Sequence, residues 1–310
     1  MPRLPLLVLF ALLVAGCPRP GPDEPVPDPV DVDCSALPDT LQPETTVPGA
    51  KAYKGLAFDA DGMIVGSDTS SLIKASRSGD WDVFLPGVGE VEGMVYLPGG
   101  DLVVTTSWGD GAMRRITPGG GISTLAADLG AYSVVLGPDG KLWAAGWDGA
   151  WRVDPDSGAV ETLISSGYDA PWSPRTVAFS RDLSRVYFGT VDDSGRIFFL
   201  ELNGSHDPVG SPQVFVSGVG NGWHDGLGMD GCGNLWAAEF ESSSLYRISA
   251  DGEVEKMVDW SSDRDQFGHG LAWGSGQGGW RADALYLPVP EGDYAVKEIV
   301  VGVPAATFPE

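Results

Sequence analysis

Short apolar runs separated by glycine-rich turns fill most of the chain, and they follow one repeated order. The first run of each unit opens at Lys54-Gly55-Leu56-Ala57-Phe58, Glu92-Gly93-Met94-Val95-Tyr96, Tyr132-Ser133-Val134-Val135-Leu136, Arg175-Thr176-Val177-Ala178-Phe179, Asp225-Gly226-Leu227-Gly228-Met229 and His269-Gly270-Leu271-Ala272-Trp273. Successive openings lie 38 to 50 residues apart, a period that points to a solenoid or a propeller. A turn follows within a few residues, built on Gly62, Gly99-Gly100, Gly140, Arg181-Asp182 or Gly231 and Gly233; the sixth unit uses a longer stretch, Gly274 to Gly279. A second run comes next, as in Leu102 to Thr105 or Leu235 to Ala238. A third follows, as in Ala150 to Val153 or Leu245 to Ile248, and then a fourth, as in Glu161 to Leu163 or Val254 to Met257. The runs are β-branched or aromatic and are bounded by Gly, Asp, Pro and Ser, which predicts strands and turns. No window carries a long apolar face at helical period. Four short antiparallel strands, six times over and closed radially, make an all-β, six-bladed β-propeller of four-stranded antiparallel blades. Closure leaves no bare sheet edge. The sixth unit shows only three strands, ending with Ala295 to Val301, so the segment near Glu44 to Ala52 is expected to supply its fourth and lock the ring.

The first residues read differently. Met1 to Gly16 is short and apolar with Arg3 near its front, the pattern of a signal peptide and too short to span a bilayer. It ends Leu13-Val14-Ala15-Gly16-Cys17, which resembles the bacterial lipobox, and implies acylation of Cys17 and attachment to a lipid membrane of the cell envelope. Residues 17–33, crowded with Pro, Asp, Glu and Gly, read as a tether, and 34–310 as a single propeller domain. The domain is therefore expected to face the periplasm or the cell exterior.

Composition adds two constraints. Nineteen Lys and Arg against 43 Asp and Glu give a net charge of −24, which argues against a nucleic-acid partner, whose phosphates need basic surface. Cys34 and Cys232 remain after the lipobox cysteine. They are either two unrelated thiols or, as an exported chain favours, a disulfide stapling the N-terminal arm to the turn of the fifth blade. Of the 11 tryptophans, Trp143 and Trp236 hold equivalent places in their second strands and are expected between blades. Trp108, Trp147, Trp151, Trp172 and Trp223 lie nearer loops or strand ends, where an aromatic wall for a ligand can form.

In a propeller the innermost strands line a central channel, so the residue before each first strand stands at the channel mouth. That ring reads Lys54, Glu92, Tyr132, Arg175, Asp225 and His269. Its chemistry varies while the apolar positions behind it keep their pattern. One reading pairs the charges of neighbouring blades, Lys54 with Glu92 and Arg175 with Asp225. Another makes Glu92, Asp225 and His269 ligands of a divalent cation, Ca²⁺ by the carboxylates or Zn²⁺ by the imidazole, with Asp225 as a general base. A third gives Lys54, Tyr132, Arg175, Trp223 and His224 to a small, anionic ligand or an envelope partner protein. No Gly-x-Ser-x-Gly elbow and no phosphate loop is present.

Asp225-Gly226-Leu227 followed by Gly233-Asn234-Leu235-Trp236-Ala237-Ala238 resembles the fifth blade of the gluconolactonase and senescence-marker-protein (regucalcin) family. Gly137-Pro138-Asp139-Gly140-Lys141-Leu142-Trp143 is similar to its third blade. The likeness runs from about Lys54 to Val301, and NHL-repeat and strictosidine-synthase-like propellers are similar more loosely. It implies a divalent cation at the mouth and lactone hydrolysis with an aspartate base. Of the positions it implies, only that aspartate is kept, as Asp225. The first-blade glutamate position holds Lys54, the third-blade asparagine position Tyr132, and the fourth-blade asparagine position Arg175. Two fixed cations where ligands belong would repel a metal ion. The resemblance therefore leaves two expectations: a binding or purely structural propeller, or a hydrolase whose metal has moved by one blade to Glu92, Asp225 and His269.

Overall fold

The computed structural model describes residues 32–41, 45–166, 173–262, 268–290 and 294–307. The signal segment, Cys17, most of the tether and Trp172 lie outside them. The six repeats form six four-stranded antiparallel sheets, and the only helical element among the described residues is a single 3-10 turn at Cys34–Ala36. Second and third strands such as Leu142–Gly146 and Gly149–Val153 are buried along their whole length. They are packed on both faces by neighbouring blades, which is why they read as unbroken apolar runs and not as alternating ones. Fourth strands such as Trp81–Pro86 and Val254–Asp259 are largely exposed, and their charged and polar residues are what the rim requires.

The ring is locked as the sequence predicts. Thr45–Lys51 pairs antiparallel with Ala295–Val300 and becomes the outermost strand of the sixth sheet, whose other strands are Ala284–Val289 and Ala272–Trp273. The first and last parts of the chain thus share one blade. At the axis the first strands converge closely. A Cβ on Gly93 would stand 2.9 Å from the Ser133 backbone of the next blade, and one on Gly226 would stand 2.5 Å from Gly270. A larger residue does not fit at either position, which explains the glycine that follows those ring residues.

Trp143 and Trp236 are fully buried. Each indole donates to an aspartate of its own blade's turn, Asp139 at 3.0 Å and Asp230 at 2.9 Å. The Trp143 ring meets Phe179 of the fourth blade edge-on at 5.2 Å. The blades are thus sealed by a large apolar surface whose one polar atom is satisfied. Trp151, expected near a loop, is instead buried within its third strand.

Cys34 and Cys232 form a disulfide across 198 residues of sequence. Arg247 Nη1 donates to Pro38 O at 3.1 Å, so the arm lies along the fifth blade. Cys232 sits in the turn after the first strand, on the face opposite the channel mouth. Replacing Cys232 with Ser is expected to cost about 4 kcal/mol, as for other long loops. A urea midpoint that does not move would show that the staple contributes nothing.

Candidate functional site at the channel mouth

The ring residues reach the axis by a shared backbone device. In the third, fourth and fifth blades the ladder between first and second strands slips by one residue. The slips fall between Ala131 and Ser133, Pro174 and Thr176, and His224 and Gly226. The extra residue in each is Tyr132, Arg175 or Asp225. A bulge frees a side chain from the ladder and re-aims it, and here it supplies three of the six ring positions.

Charges of adjacent blades then pair. Lys54 Nζ lies 3.0 and 2.9 Å from the two Glu92 carboxylate oxygens, and Ser107 Oγ donates to Glu92 Oε1 at 2.7 Å. Arg175 Nε donates to Asp225 Oδ1, and His269 Nδ1 contacts Asp225 Oδ2. Burial alone would push the Asp225 carboxyl up. Arg175, then His269 and more weakly Lys54, outweigh that and hold it well below the usual carboxylate range. Burial likewise opposes the Arg175 charge, but Asp225, Tyr132 and Glu92 raise its pKa above the ordinary value.

Aromatic faces enclose this pair. The Arg175 guanidinium carbon lies 3.9 Å from the Tyr132 ring centroid, 5.3 Å from Trp223 and 5.6 Å from Trp147. Lys54 Nζ lies 5.0 Å from the Tyr53 ring and 5.6 Å from that of Tyr132. The rings run on as an arc: Tyr132 to Trp147 at 5.1 Å, Trp147 to Trp223 at 6.1 Å, Trp223 to Phe240 at 5.7 Å and Phe240 to His269 at 4.5 Å. Arg175 is only 4 % exposed, and its Nη1 has no hydrogen-bond partner.

The structure therefore brings Lys54, Glu92, Tyr132, Arg175, Trp223, Asp225 and His269 to the mouth. His224 goes elsewhere. It precedes the bulge, so its side chain is turned inward and fully buried. Its Nδ1 accepts from Thr190 N at 3.2 Å, which places the proton on Nε2, 3.1 Å from Val219 O. Burial lowers its pKa and keeps it neutral. Ser107, Trp147 and Phe240 join the site without standing in the predicted ring. They follow the ends of second strands, directly beside the first-strand starts, and that register is the signal by which they can be found.

A divalent cation does not fit these residues. Asp225 is taken by Arg175 and His269, and Glu92 by Lys54 and Ser107. Among the described residues no group of three or more His, Cys, Asp or Glu side chains is placed to hold a metal ion. The anionic ligand expected of Lys54 and Arg175 also loses its attraction, because both charges are already met by a neighbouring carboxylate.

A family model described as SMP-30/Gluconolactonase/LRE-like region matches residues 55–264. The chain belongs to that family. Among solved structures, this family member is similar to a calcium-binding regucalcin from Agrobacterium tumefaciens, with 16 % identity over 87 % of this chain and 97 % of that one, at a TM-score of 0.68. It is similar to a gluconolactonase from Xanthomonas campestris, with 16 % identity over 84 % and 89 %, at 0.66. It is also similar to an auxiliary nutrient binding protein from Bacteroides ovatus, with 12 % identity over 83 % and 76 %, at 0.62. At these identities the likeness is one of fold. No curated protein matches the chain in sequence.

Asp225→Asn leaves Arg175 buried beside a neutral amide and is expected to cost about 3–5 kcal/mol near neutral pH. Because the Asp225 pKa is depressed on folding, its contribution is complete above the unfolded value and is lost as pH falls toward the folded one. The stability gap between the two proteins, read from denaturant melts, should be smaller below about pH 4 than at about pH 5.

Proposed function

We propose that this SMP-30/gluconolactonase-family propeller is a metal-independent binding protein. In this reading it takes a small ligand, or a side chain of an envelope partner, at its channel mouth. A lipid anchor at Cys17 would hold it in the bacterial envelope, facing the periplasm or the exterior. One observation carries the reading: Arg175 is buried among three aromatic rings, ion-paired through Nε, and left with an unmatched Nη1 donor. Such a donor in a dry setting is costly unless something accepts from it. A bound oxygen acceptor would complete it while the ligand's apolar face met Trp147 or Trp223. The low-identity likeness to a nutrient binding protein agrees with this reading without choosing a ligand.

Hydrolysis of the gluconolactonase type is the second reading. Family membership favours it, and so does the Asp225–His269 contact, since a carboxylate beside an imidazole is the arrangement of a general base. Calorimetric titration of calcium, then zinc, into the metal-stripped protein separates the two. The binding reading expects no saturable site that depends on Asp225. One site per chain, lost in Asp225→Ala and accompanied by turnover of sugar lactones, would replace it with the hydrolase.

A further inference from the structure

A groove on the mouth face, between the first and second blades, takes no part in the ion pairs of the ring. Its volume is about 900 Å³, and Tyr53, Val88, Glu90, Thr106, Trp108 and Arg114 line it. Trp108 is 62 % exposed, more than any other large apolar side chain among the described residues. An exposed indole adds little to folding, and beside a groove it offers a flat apolar face to something else.

The loop that presents it is braced at both ends. The amides of Asp128, Leu129 and Gly130 donate to the carbonyls of Asp110 and Gly111 at 3.3, 3.0 and 3.0 Å, tying the loop to the approach to the third blade. Arg114 bridges across it, Nη2 to Asp110 Oδ2 at 2.6 Å and Nη1 to Thr106 Oγ1 at 3.4 Å. Gly111 adopts φ +57, and a Cβ there would stand 2.9 Å from Gly130 N. The main chain on either side of Trp108 is thus held by a fixed frame, so binding needs little ordering of the loop backbone.

The groove's charge narrows the occupant. Glu90 and Asp110 are acidic, Arg114 is already matched by Asp110, and the whole chain carries −24. Anionic polymers and acidic headgroups are repelled. The groove lies open along the surface, so it suits a segment of a longer chain better than an enclosed small molecule. A sugar ring has an apolar C–H face and a rim of hydroxyls. An indole meets the first, and carboxylates, a threonine hydroxyl and a guanidinium meet the second.

We propose that this groove binds a segment of an uncharged polysaccharide, with one sugar ring laid on Trp108 and Tyr53 walling the neighbouring position. The groove lies beside the Arg175 pocket and shares with the mouth the contact of Tyr53 with Lys54.

The test is calorimetric titration of the purified protein, its disulfide intact, with hexasaccharides of the cellulose, amylose, xylan, mannan and chitin types. Saturable binding of at least one is expected. Trp108→Ala should weaken it about tenfold or more, as loss of a stacking face does, and Trp108→Phe should recover part of it. The thermal midpoint of Trp108→Ala should match that of the parent protein, because the side chain is exposed. A silent panel, or an affinity that survives Trp108→Ala, overturns the proposal. So does Trp108-dependent binding of anionic phospholipid vesicles, or Trp108-dependent dimerisation, in place of sugar binding.

Discussion

Around the axis most of the first strands meet more closely than a side chain allows. Gly93 and Gly226 lie against the backbone of the next blade with no room for a Cβ. That contact fixes what stands on either side. Behind it the apolar positions must repeat, because each fills the seam between two blades. In front of it the chain is free of packing duty, and the chemistry of the molecule collects there. The bulges at Tyr132, Arg175 and Asp225 serve that free position. A strand that cannot place a side chain at the axis within its ladder places one by stepping out of it.

What the mouth does with that freedom is electrostatic. Positive and negative groups alternate between neighbouring blades and neutralise one another locally, although the chain as a whole is strongly acidic. Arg175 is the centre of the arrangement, ion-paired through Nε to Asp225 and walled by Tyr132, Trp147 and Trp223. A guanidinium in that place is a permanent charge of fixed geometry, where a bound ion could exchange. On the proposed binding reading, such a mouth would hold its ligand by hydrogen bonding and stacking.

Much of this was legible in the sequence, and the limits have physical causes. The repeat gave the strands and the closing role of Thr45–Lys51, because buried second and third strands leave an unbroken apolar signal. Blade order alone suggested the pairs Lys54–Glu92 and Arg175–Asp225. His224 was misplaced because a one-residue slip at the bulge turns consecutive side chains to opposite sides, and no residue type announces it. His269 reaching Asp225 depends on how the ring closes between the fifth and sixth blades, which spacing does not encode. Phe240 was hidden, and Trp147 was legible only as one of several candidates for an aromatic wall, for another reason. They enter the site across the ladder from the second strand, and a pattern read along the chain does not show what lies across it. Trp108 looked like any loop tryptophan until its frame of hydrogen bonds was in view.

The disulfide lies ahead of the closing strand in the chain, and this order decides how the molecule responds to force. Tension applied to the residues before Cys34 passes through a covalent bond into the turn of the fifth blade at Cys232. It does not reach Thr45–Lys51, which is held to the sixth blade by non-covalent contacts, strand hydrogen bonds and the packing of Val47 and Ala50, and would otherwise peel away. The ring therefore resists being opened from its N-terminal side while the bond is intact. Reduction would move the same pull onto the strand that closes the ring.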